Sequence, residues 1–104
     1  MKTKYKNFDH KRLDPLIHNR LRLALLSAVA HSDEVDFMSL KNAVKTTDGN
    51  LSIQIKKLEE AGYLSVSKYP QKNRTQTNIA VTNKGITALQ NYHRLIGAWL
   101  NFDE

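Results

Sequence analysis

The residues of this chain best suited to ligate a metal or move a proton near neutral pH are its four histidines, His10, His18, His31 and His93. They are scattered with no HExxH spacing, and cysteine is absent, which removes thiolate nucleophiles, thiolate metal sites and disulfides together. No GxGxxG, P-loop or GxSxG pattern occurs. Asp33, Glu34 and Asp36 fall in a predicted loop and at a predicted helix start, where acids are ordinary. Neither catalysis nor a metal or cofactor is therefore expected. The segment from Thr47 to Lys57 carries a different chemistry. Asn50 can pair bidentately with adenine, Ser52 can bond a base edge or a phosphate, and Ile53 can meet a thymine methyl. Lys56 and Lys57 suit phosphates, and Gly49, beside Asp48, has no side chain to keep the backbone amides of a first helical turn from a phosphate. Lys72, Asn73 and Arg74 form a second group, suited to a narrow minor groove or to backbone.

Each feature also has a plainer reading. Lys56-Lys57 before Glu59-Glu60 is by itself a solvated helical face, Ile53 an isolated surface aliphatic, Gly49 a turn glycine, and a charged hairpin tip protects a sheet edge from pairing. Charge bears on the choice. Sixteen Lys and Arg against ten Asp and Glu give a formal net charge of +6 in 104 residues, which favours a polyanionic partner. The excess lies in two places. Lys2, Lys4, Lys6, Lys11 and Arg12 face only Asp9 in residues 1–12, a basic, flexible tail; and Lys68, Lys72, Arg74 and Lys84 occupy an acid-free stretch from Ser65 to Thr87.

The elements that must position these residues follow from periodicity and capping. The length supports one domain, assigned to residues 13–104. Asp14-Pro15 predicts a helix start, with Asp14 as N-cap, running to about Ala30. Asp36 predicts the cap of a short second helix through about Lys45, with Val35 and Leu40 as a hydrophobic staple. Thr47 caps a third helix, 48–61, ended by Gly62. At about 100° per residue Leu51, Ile55 and Leu58 share its core stripe; Ile53, Lys56, Lys57 and Glu60 lie opposite, with Asn50 and Ser52 on the flanks. Alternation then predicts strands around Leu64–Tyr69 and Thr77–Val81, joined by a polar connection over 70–75. Thr82 caps a last helix, about 83–100. The order α-α-α-β-β-α is mainly helical with a β-hairpin, an α+β arrangement in which a helix-turn-helix is followed by a basic wing.

The last helix places Leu89, Tyr92, Ile96 and Trp99 at spacings of three and four, beside a stripe of Ala88 and Leu95, so one stripe can pack on the domain and the other on a twofold mate. The longest apolar run, Leu23–Ala30, is broken by Ser27 and falls well short of the roughly 20 residues of a membrane span. No apolar segment of signal-peptide length follows the basic N-terminus, so a cytoplasmic location is expected.

Several motifs carry a family resemblance. Leu13-Asp14-Pro15-Leu16-Ile17-His18, Arg20-Leu21-Arg22-Leu23, Asp36-Phe37 with Leu40, Thr47-Asp48-Gly49-Asn50-Leu51-Ser52 and Lys57-Leu58-Glu59-Glu60-Ala61-Gly62-Tyr63 resemble the MarR-like winged helix-turn-helix transcriptional regulators, in their small single-domain group. The resemblance covers about 13–100. It implies a homodimeric DNA-binding regulator, with the family's recognition-helix positions falling on Asp48, Gly49, Asn50, Ser52 and Ile53 and the wing role on Lys72 and Arg74; a twofold dimer on double-stranded DNA in turn predicts an inverted-repeat operator. Gln54 departs from it, since related helices often carry histidine there. Repression by operator occlusion is the simplest mechanism; a winged-helix protein-interaction module is the alternative, and RNA binding a third. No residue set identifies a small-molecule effector.

Overall fold

The computed structural model describes residues 8–102, so Lys2, Lys4 and Lys6 of the basic tail lie outside the described residues. A 3-10 turn at His10–Arg12 precedes α1 (Arg20–Ala30), β1 (Val35–Asp36), α2 (Phe37–Val44), α3 (Asp48–Glu60), β2 (Leu64–Gln71), β3 (Arg74–Val81) and α4 (Asn83–Trp99). The core is apolar throughout: Ile17, Leu25, Leu26, Val29, Leu40, Leu51, Ile55, Leu58, Leu64 and Ile79 are buried, drawn from α1, α2, α3, both long strands and the turn before α1.

Three of the predicted caps are in place. The Asp36 carboxylate accepts from the Ser39 amide at 3.0 Å and the Ser39 hydroxyl at 2.7 Å. Those bonds favour the ionised form and hold the Asp36 pKa below its ordinary value. Thr47 Oγ1 accepts from the Asn50 amide at 3.2 Å, and Thr82 Oγ1 from the Gly85 amide at 3.0 Å. Gly62, at φ 85°, ends α3 with Tyr63 N donating to Leu58 O and Gly62 N to Glu59 O, both at 2.9 Å. This doubled pattern is a Schellman motif, and the left-handed backbone suits glycine.

The first helix departs from expectation. It starts at Arg20, where Asn19 Oδ1 accepts from the amides of Leu21 at 3.1 Å and Arg22 at 3.0 Å. Asp14 caps only a turn, accepting from the Leu16 amide at 2.9 Å. Asn19 is extended (φ −155°, ψ 129°), so residues 14–18 cannot continue into α1; their turn instead carries Ile17 into the core.

The sheet holds one more strand than the two predicted. β1 pairs with β3 through Val35↔Ile79 and Asp36↔Asn78, giving the antiparallel order β1-β3-β2. The hairpin is also longer and tighter than expected: pairing runs from Leu64↔Val81 to Gln71↔Arg74, leaving Lys72-Asn73 alone as the turn. Pro70, expected in the connection, lies within β2 and is tolerated because β2 is an edge strand, where a missing N–H can face solvent.

Candidate nucleic-acid interface

Leu51, Ile55 and Leu58 fix the rotation of α3 by burying one side of it against the core. The other side is thereby turned out: Gly49, Ser52, Ile53, Lys56, Lys57 and Glu60 are exposed, and Ile53 keeps 56% of its surface in solvent. A Cβ at Gly49 would meet nothing within 4 Å, and its φ lies outside the left-handed range. Nothing within the described chain requires glycine there. Asp48, in the first turn, is paired with Lys41 of α2 at 2.8 Å. That pairing offsets the one acid at this end of the face, and the acid suits the helix dipole.

Asn50 is more engaged than its flank position implies. Its Nδ2 donates to Thr46 Oγ1 at 3.2 Å, and its Oδ1 accepts from Gln54 Nε2 at 3.3 Å. Gln54 Oε1 in turn accepts from Arg22 Nη1 of α1 at 2.7 Å. Asn50 remains exposed, yet part of its hydrogen-bonding capacity is used within the chain.

The paired strands β2 and β3 form the wing. Lys68, Lys72, Asn73 and Arg74 are exposed, and Lys72 adopts φ 43° in the turn. The base of the wing is braced: Asn78 Nδ2 donates to Glu34 at 2.7 Å and Gln76 Nε2 to Asn78 Oδ1 at 3.0 Å. Arg74 borders a cleft of about 370 Å³ against Asp36, Phe37 and Met38 at the start of α2.

At the foot of the wing, the Tyr63 hydroxyl donates to Asp14 Oδ2. Burial, then the hydrogen bond and charge of Asp14, push its pKa up to about 12. Lys84 Nζ lies 5.8 Å from the Tyr63 ring centroid, within cation–π range. α4 begins against the same residue. A Cβ on Gly85 would collide with the Tyr63 carbonyl oxygen and come within 2.8 Å of Val81 Cγ2.

Beyond that point α4 is loosely covered. Gly85 is its one buried residue; Leu89, Tyr92, Ile96 and Trp99 are half-buried. Leu89 and Tyr92 pack on the domain's own core, and Tyr92 OH is 2.8 Å from His18 Nδ1. An apolar groove of about 650 Å³ separates α4 from α1, lined by Leu23, Ala30, Ile86, Leu89, Tyr92 and Ile96 among others. At the far end the rings of Trp99 and Phe8 lie 6.0 Å apart, beside exposed Leu100 and Phe102.

Among the described residues no group of three or more His, Cys, Asp or Glu side chains could hold a metal ion, and no helix is long and apolar enough to cross a membrane. In the sequence Arg22 has only a place in the Arg20-Leu21-Arg22-Leu23 motif and no site role, since its link to Gln54 spans 32 residues.

Four helices, the third with an outward face, and a three-stranded antiparallel sheet with a braced hairpin define a winged-helix fold. The fold is shared with a transcriptional regulator homologue of Pyrococcus horikoshii OT3 (TM-score 0.68, 21% identity, 83% of this chain and 89% of that one). It is shared also with a MarR variant of E. coli solved in complex with operator DNA (TM-score 0.66, 19% identity, 86% and 64%). A MarR-like transcription regulator of Bacillus cereus aligns at TM-score 0.68 and 21% identity, over 86% and 67%. The winged helix DNA-binding domain family matches residues 21–99, and the chain belongs to it. An uncharacterized protein of Methanocaldococcus jannaschii is 36% identical over 77 residues, 74% of this chain and 84% of that protein.

Proposed function

We propose that this protein is a sequence-specific, double-stranded DNA-binding transcriptional regulator that acts as a cytoplasmic homodimer and represses by occluding its operator. The observation that carries the reading is the outward face of α3, where Ser52, Ile53, Lys56 and Lys57 are exposed, in a chain whose hairpin turn also exposes Lys72, Asn73 and Arg74. In this reading α3 enters the major groove, where Ser52, Ile53 and Asn50 meet base edges and Lys56 and Lys57 meet phosphates. Thr47, Asp48 and Gly49 bring the first-turn amides to the backbone; the glycine that the fold itself does not require permits that approach. Lys72, Asn73 and Arg74 contact flanking DNA. The half-buried stripe of α4, with Leu89 and Tyr92 also on the domain's own core and Ile96 and Trp99 towards its end, faces a twofold mate, which sets two recognition helices about 34 Å apart and calls for an inverted repeat.

Titration of random-pool-selected and scrambled duplexes at two salt concentrations tests the reading. The selected duplex is expected to bind more tightly at both, with affinity falling by about 0.9 log unit per log unit of salt for each phosphate neutralised. Asn50→Ala and Ser52→Ala should narrow the gap between the two duplexes. Equal binding of both by the unaltered protein would leave a protein-interaction module as the better account, and tighter binding of single strands would point to RNA.

A further inference from the structure

We infer that Arg22, on α1 and away from the outward face of α3, is a positioning residue for base recognition: it sets the donor and acceptor order of the Gln54 and Asn50 amides, and through them the base preferred near the N-terminal end of α3. The inference rests on the DNA-binding reading above. A guanidinium has five N–H donors and no acceptor. The head of Arg22 is held from behind by the turn before α1, with Nε donating to Leu16 O at 2.6 Å and Nη2 reaching Pro15 O at 3.4 Å. Its Nη1 points forward at Gln54, 2.7 Å away. Only an acceptor can meet it, so the Gln54 oxygen faces Arg22 and the Gln54 nitrogen faces Asn50.

That nitrogen donates to Asn50 Oδ1 at 3.3 Å, which leaves Asn50 Nδ2 to donate to Thr46 Oγ1 at 3.2 Å. Two amides and a hydroxyl, groups that can each act in either sense, thus take one direction from a group that can act in only one. Reversing either amide would set donor against donor or acceptor against acceptor. After these bonds Asn50 keeps one N–H and one oxygen lone pair, the complement of adenine N7 and N6. Without Arg22 both amides can turn over, and the two orders compete for the same base.

The test uses the full chain carrying Arg22→Met, alone and combined with Asn50→Ala. The probes are a duplex selected by the unaltered protein and the same duplex with G·C in place of the A·T pair whose replacement Asn50→Ala no longer senses. Arg22→Met is expected to cut that discrimination about fivefold, with no further loss when Asn50 is already alanine, and to leave scrambled-duplex affinity within about twofold. Gln54→Met breaks the same relay while sparing the Arg22 bonds to Leu16 and Pro15, and should reproduce the loss. In the DNA-free protein, the side-chain amide NMR signals of Gln54 and Asn50 should move in Arg22→Met. Undiminished discrimination in a folded Arg22→Met or Gln54→Met, losses that simply add to that of Asn50→Ala, or unmoved amide signals would overturn the inference while leaving DNA binding in place. A wild-type chain blind to sequence would overturn both readings.

Discussion

The Tyr63 hydroxyl and the Asp14 carboxylate lie 49 residues apart in the chain and share a hydrogen bond that ties the foot of the wing to the turn before α1. A phenol whose pKa rises from 10.0 to about 12 on folding favours the folded state while protonated. That contribution is complete below pH 10 and is lost as the pH climbs from 10 towards 12. Tyr63→Phe should lower stability by about 1 kcal/mol at neutral pH and remove this share of the alkaline decline, as read by urea denaturation from pH 7 to 12. Identical alkaline profiles for the two proteins would show that the bond contributes nothing. Gly85 is the other residue on which this junction turns. Gly85→Ala drives a methyl into the Tyr63 carbonyl and Val81, and is expected to destabilise by about 2 kcal/mol or more in the same assay.

At the scale of elements, what could be read from the sequence was what is local. Asp36, Thr47 and Thr82 cap the amide three residues on, and Gly62 closes α3 through its own last turn. Asp14-Pro15 is an equally sound local start, and it misled because Asn19 offers a competing cap to two amides at once, five residues later. β1 has two residues and exists only through its pairing with Ile79 and Asn78, so no alternation could reveal it. The outward face of α3 was legible from the 3.6-residue period, whereas the engagement of Asn50 was not, because it originates in Arg22 on another helix. The paired wing makes a prediction of its own. With a two-residue turn, Lys72 and Arg74 sit at a fixed tip, and Lys72→Ala or Arg74→Ala should weaken all duplexes alike, each reducing the salt slope by about one. A loss confined to one sequence would place those side chains among bases rather than on backbone.

For the molecule as a whole, the question is what covers α4. Its Trp99 end, with Leu100 and Phe102 exposed beside it, presents apolar surface that one domain of this size leaves unfilled. Trp99→Ala should weaken self-association in sedimentation equilibrium by tenfold or more, in the range of an interface anchor. A wild-type chain that sediments as a monomer at micromolar concentration would remove the dimer. The same feature bears on endurance. An element that gives only Gly85 to the interior has few fastenings of its own, so its amide hydrogens should exchange with heavy water sooner than those of α1, which gives Leu25, Leu26 and Val29. A second copy laid across it would make the melting point climb as the solution is concentrated, and heat tolerance would then depend on how much of the protein a cell makes.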